Sequence, residues 1–135
     1  MIVQTQTTSF KAELYQGVHN LLTDTIKIAL YTASANLDET TTVYTTLNEV
    51  VASGYTAATM TGVTLGTSGY TAYVNFADVS WAASLTARCA LIYNVSKGNK
   101  SVAVLDFGSD KTSNGTFTIT MPANTPTSAL IRSSI

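Results

Sequence analysis

Leu85-Thr86-Ala87-Arg88-Cys89-Ala90-Leu91-Ile92-Tyr93-Asn94 is the stretch that decides the fold, together with Val102 to Phe107 just beyond it. Alternate residues Leu85, Ala87, Cys89, Leu91 and Tyr93 are apolar, the period of two that a strand with a buried face requires. Lys97-Gly98-Asn99 separates the two runs and carries the residues of a tight reversal, so a β-hairpin is expected. Before it, Ile26, Ile28 and Leu30 alternate with Lys27, Ala29 and Tyr31 in a further strand.

Working outward, the same pattern recurs in short units. Thr59 to Leu65 is a weaker strand candidate, ended by Gly66 and Gly69. Tyr70 to Phe76 alternates more clearly. Phe117, Ile119 and Met121 form a strand introduced by Asn114-Gly115 and stopped by Pro122, and Ala129 to Arg132 supplies the last one. Many short strands divided by turn signals predict a mainly β fold, an antiparallel β-sandwich or barrel-like domain. Ala33 to Tyr55 has little periodicity and reads as a long connection, with a short helical turn near Asn48 and a turn at Ser53-Gly54.

The N-terminal end departs from this rhythm. Ile2 to Thr8 is polar and rich in threonine, without a face wide enough to bury itself, so residues 1–8 are expected to form an extended arm that orders on a neighbour. Residues 9–135 form a single β-rich domain. Phe10, Leu14, Val18, Leu21 and Leu22 recur at helical spacing behind Thr8 or Ser9 as caps, which predicts one N-terminal amphipathic helix of about three turns.

Composition narrows the function classes. The 135-residue chain is 45% hydrophobic but only 11% charged, with a net charge of −1, against about 25% charged in ordinary domains. A surface this neutral has no electrostatic attraction for nucleic acid or anionic lipid and little protection against association. Threonine, serine and asparagine keep it wet, and burial of part of it in an assembly is expected. No run approaches membrane-spanning length, and Met1 opens no signal-peptide pattern, so synthesis in a cytoplasm is expected.

Catalytic groups are few. His19, the single histidine, sits beside Asn20 off the apolar stripe and reads as a solvated helix residue. Cys89 lies between Arg88 and Ala90 on the apolar face of its strand, where a buried, inert thiol is expected, and as the single cysteine it has no internal disulfide partner. Asp106, Asp110 and Asn114 offer oxygen atoms to calcium, but their spacing does not match an EF-hand loop, and a polar turn between strands is expected. Asp38 and Glu39 read as a solvated loop or helix start. No glycine pattern cradles phosphate. The expectation is a non-enzymatic protein with no catalytic, cofactor-binding or metal site. The tyrosines, among them Tyr31, Tyr44, Tyr55, Tyr70 and Tyr73, read either as core or as a stacking platform for sugars or protein.

Four blocks carry a resemblance: Lys27-Ile28-Ala29-Leu30-Tyr31-Thr32; Tyr44-Thr45-Thr46-Leu47-Asn48-Glu49-Val50 with Gly54-Tyr55; Thr86 to Asn94; and Val104-Leu105-Asp106-Phe107-Gly108. In this order they resemble a family of small tailed-bacteriophage virion proteins, most like capsid decoration (cement) proteins. Cys89 stands where the family pattern has glycine after the arginine. The resemblance implies a structural protein on the capsid exterior of a virion, made in the host cytoplasm, that binds the major capsid protein and stabilises the head as a homo-oligomer, trimer or dimer. It identifies no functional residues. The alternative is a tail or fibre-associated virion module that binds host surface glycans through its tyrosines.

Overall fold

The computed structural model describes residues 1–134. Among these residues ten strands and one α-helix follow in the order β1 (Thr5–Gln6), α1 (Thr8–Tyr15), β2 (Ile26–Tyr31), β3 (Ala58–Thr59), β4 (Thr64–Ser68), β5 (Thr71–Asn75), β6 (Val79–Trp81), β7 (Thr86–Asn94), β8 (Lys100–Thr112), β9 (Phe117–Ile119) and β10 (Ile131–Ser133), with a 3-10 turn at Val95–Lys97 between β7 and β8. The strands form three antiparallel sheets, ordered β1-β8-β7-β2-β3, β10-β5-β4 and β6-β9. The mainly β class, the antiparallel pairing and the helix near the N-terminus are as the sequence predicts, and the layers are those of a sandwich or barrel-like domain.

The β7–β8 hairpin and β2 build the centre. Ile28 opposes Ile92 and Leu30 opposes Ala90 on one face, while Ala29 opposes Leu91 and Tyr31 opposes Cys89 on the other. Both faces are buried. The larger core holds Ile28, Leu30, Ile92 and Val102 with Phe10, Phe76, Trp81, Phe117 and Ile131 from the smaller sheets and the helix. The other holds Ala29, Tyr31, Cys89, Leu91, Tyr93 and Val104, closed by Ala35 and Leu37 from the long connection. That connection is an outer layer of the protein, which is why a stretch without periodicity still packs.

Several details differ from expectation, each for a local reason. The alternate residues from Leu85 to Tyr93 do not all share one face: Leu85, just before β7, and Ala87 join the larger core and Cys89, Leu91 and Tyr93 the smaller one. The register shifts between Ala87 and Cys89, where the pairing steps from Lys111 to Asp106. Two steps on β7 thus meet five on β8, and a bulge of this kind re-aims the side chains beyond it. Asp106 and Asp110 consequently lie within the long strand β8 and not in a turn between strands.

The helix has two turns instead of three. Gly17 at φ 72 terminates it: the Gly17 N–H donates to the Leu14 carbonyl and the Val18 N–H to the Glu13 carbonyl, the paired bonds of a Schellman stop. The chain then folds back, leaving Leu14 and Leu22 39% and 47% exposed, while Phe10 alone of the helix is buried. Thr7, rather than Thr8 or Ser9, is the cap, its Oγ1 accepting from the Phe10 N–H at 3.3 Å.

The first residues are extended, as expected, but their partner is the chain itself. Thr5 and Gln6 pair with Val104 and Ala103 at the edge of the main sheet, and the Val3 N–H donates to the Leu37 carbonyl at 2.9 Å. The candidate strand Thr59 to Leu65 is divided between β3 and β4 by Gly62 at φ 64. Near Asn48 the connection makes a turn with Asn48 at φ 63 and no helical turn. The Ser53-Gly54 turn is present, and a Cβ at Gly54 would fall 2.5 Å from the Ala82 carbonyl oxygen, so only glycine fits there.

Candidate functional site

Three polar clusters hold the chemistry-bearing side chains, and each is tied into the fold. The largest gathers tyrosines about Glu49. The backbone of Glu49 bridges to Tyr31 at the end of β2, and the Val50 N–H donates to the Leu30 carbonyl, which sets the Glu49 carboxylate at the edge of the smaller core. Tyr44 and Tyr55 donate their hydroxyls to its two oxygens at 2.5 and 2.6 Å. The Tyr55 oxygen also accepts from the Leu30 N–H, and the Tyr31 hydroxyl donates to the Thr45 carbonyl. Tyr44 stacks on Tyr93 with ring centroids 4.4 Å apart.

Burial pushes the phenols of Tyr31, Tyr44 and Tyr55 well above the ordinary tyrosine range and raises that of Tyr93, and the Glu49 charge beside them pushes the same way. All four are therefore neutral over the working range of pH, and Tyr31, Tyr44 and Tyr55 serve as donors. A shallow opening of about 300 Å³ runs beside Tyr44, Glu49, Val50 and Tyr55. Of the tyrosines singled out in the sequence, Tyr31, Tyr44 and Tyr55 come together here, whereas Tyr70 is 87% exposed at a hairpin tip and Tyr73 lies on β5, away from the group. Glu49 and Tyr93 were not read from the sequence as members; nothing in local spacing links Glu49 to a tyrosine on β7.

The second cluster surrounds His19, which is buried and not solvated as expected. Its Nε2 lies 2.8 Å from Glu13 Oε1 and its Nδ1 lies 2.9 Å from the Asn94 amide nitrogen. With Asn94 donating to Nδ1, the ring proton sits on Nε2 and is donated to Glu13. Asn94 also donates to Asp24 Oδ2 at 2.8 Å, and Lys97 Nζ stands 3.8 Å from Asp24 Oδ1. Burial works to raise the Asp24 carboxyl, but the Asn94 amide, the Asn20 N–H and Lys97 together hold it below its ordinary value. The reversal after Gly17 is what carries His19 inward, so a helical reading of residues 10–22 puts it on the wrong side.

The third cluster spans the β7–β8 bulge. Arg88 pairs with Asp106, which also accepts from the Gly108 N–H at 2.9 Å. That backbone bond, then Arg88, lowers the Asp106 carboxyl below its ordinary value. Cys89 is fully buried as expected, and burial pushes its thiol up to about 11, with Arg88 opposing and Asp106 adding to the shift. A thiol so placed is a packing group and not a nucleophile. Asp106 is engaged by Arg88, while Asp110 and Asn114 are both exposed. Asp38 accepts from the Thr40 N–H and hydroxyl in a turn of the long connection, as a solvated loop residue does.

These arrangements hold loops and strands in place: the hydroxyls of Tyr31, Tyr44 and Tyr55 and the His19 imidazole are spent on neighbours inside the fold. Comparison with protein-family models, with curated proteins and with solved structures finds no match to this chain.

Proposed function

We propose that this protein is a bacteriophage structural protein, a capsid decoration protein that stabilises the head by binding the major capsid protein from the exterior. The observation that carries the reading is an uncharged surface stretch carried by a sheet buried on both faces. From Val50 to Ala77 the chain has no Asp, Glu, Lys, Arg or His, and this stretch exposes Val51, Leu65 and Tyr70. Surfaces of this kind associate through area and hydroxyl contacts, not through charge. The four sequence blocks that resemble small virion proteins supply the rest of the reading. Reinforcement of a shell follows from added buried area across junctions between its subunits, of roughly 1,000 Å² or more for each stable contact.

The glycan-binding alternative rests on tyrosines as stacking platforms. Tyr44 already stacks on Tyr93, and the Tyr31 and Tyr55 rings are buried with bonded hydroxyls. Their rings are committed to the fold, which favours decoration. Cryo-electron microscopy of purified particles with and without the protein is the test. Density repeated over the shell is expected; density confined to the tail would overturn the decoration reading and return the tyrosines to consideration.

A further inference from the structure

We propose that β4 is a self-pairing edge, through which two copies of this chain join their β10-β5-β4 sheets across a twofold axis at Gly66. This goes beyond the decoration reading and does not depend on it. β4 pairs with β5 on one side and ends its sheet on the other. Ser68 and Thr71 close a two-residue hairpin over Gly69-Tyr70, with Gly69 at φ 56. The closing pair of such a hairpin is hydrogen-bonded, and bonded pairs alternate along an antiparallel ladder. Thr64, Gly66 and Ser68 therefore face β5, and the N–H and C=O groups of Leu65 and Thr67 face outward, a template for another strand.

Natural edges are guarded by Lys, Pro or an inward charge. This edge has none of them: it lies inside the uncharged stretch from Val50 to Ala77. Three features commit the occupant to a second copy. An edge without charge meets its own image without repulsion, and no charge selects a different partner. Antiparallel self-pairing centred on Gly66 sets Leu65 against Thr67 of the other copy in bonded pairs. It also places the two Gly66 residues in the close, non-bonded position, about 4.5 Å apart, where a residue without a side chain is accommodated. Finally, the Tyr73 ring lies over Gly66, its hydroxyl oxygen 2.6 Å from where a Cβ would sit. A phenol both donates and accepts, so the two Tyr73 hydroxyls are suited to meet above the axis. The product is one continuous sheet, β10-β5-β4 followed by its symmetry copy.

Four backbone bonds and two narrow faces make a small interface, so self-association is expected in the range of about 10 to 1,000 μM. Sedimentation equilibrium over that range, with amide hydrogen exchange at both ends of it, reads the contact directly. A monomer–dimer equilibrium is expected, with the Leu65 and Thr67 amides slowed only at high concentration. Thr67→Pro removes an outward donor while Gly66 before it has no Cβ to clash with the ring. It should weaken the dimer about tenfold or more, from the loss of two of the four bonds, and leave the thermal transition in place. Should that variant fail to fold, the double change Leu65→Lys and Thr67→Lys keeps every backbone donor but sets lysine against lysine across the axis, with the same expected loss. A wild-type monomer up to about 1 mM, or a dimer that survives both variants or protects amides elsewhere, overturns the proposal.

Discussion

Leu91 shows how much a single position in this fold carries. It is fully buried in the smaller core, on the central strand β7 and directly opposite Ala29. Neighbours on both sides come from paired strands that have little room to close over a void. Leu91→Ala is expected to cost about 2 to 5 kcal/mol, read by urea denaturation, and a loss under about 0.5 kcal/mol would remove β7 from the core. Leu91 and Cys89 were legible as buried because the alternation around them is local and strict. His19 was not, since its burial depends on Gly17 stopping the helix and on Asn94, which lies 75 residues away. The glycine was the available signal: an αL stop behind Tyr15 ends any helical count at that point.

At the scale of elements, β1 changes the account of the N-terminal residues. Residues 2–8 read as an arm because they lack an apolar face, yet what fixes residues 2–6 is backbone pairing, which side-chain patterns do not encode. The bonds are those of Val3 to Leu37, the Thr5 and Gln6 ladder on β8, and Gln4 Oε1 accepting from the Asp106 N–H. Each such bond contributes about 0.5 to 1.5 kcal/mol net, less the entropy of ordering the segment. Deletion of Ile2 to Gln6 should therefore lower stability by about 2 kcal/mol while Thr7 still caps α1, and thermal denaturation measures it. An unchanged transition would mean that the pairing contributes nothing, leaving an arm that matters only on a partner. The strands β2, β5, β7 and β9 were legible from their alternation; β6 was missed, being three residues, Val79–Trp81, whose pairing partner lies beyond Thr116. The β7–β8 bulge escaped too, since an extra loop of chain within a strand leaves no periodic trace.

For the molecule as a whole, the tyrosine cluster couples folding to pH on the alkaline side. Tyr31, Tyr44, Tyr55 and Tyr93 have phenols raised above the ordinary value of 10.0, by burial first and then by the Glu49 charge. In the unfolded chain they ionise near that ordinary value, while in the folded protein they stay protonated. Above pH 10 the native state thus holds more protons than the unfolded one, and stability falls as pH rises; below it, the contribution of these groups is fully present. Each phenol that ionises only on unfolding adds a slope of about 1.4 kcal/mol per pH unit, and Tyr31 and Tyr55, both buried, are the clearest cases. The expected outcome is a cooperative alkaline transition in which tyrosinate absorbance appears together with loss of near-ultraviolet circular dichroism. Glu49→Gln removes the smaller of the two causes and should make the decline with pH shallower without abolishing it, because burial remains. Independent titration of Tyr31, Tyr44, Tyr55 and Tyr93 near the ordinary value, with the fold intact, would mean that the cluster is open to solvent and that the long connection does not close the second core.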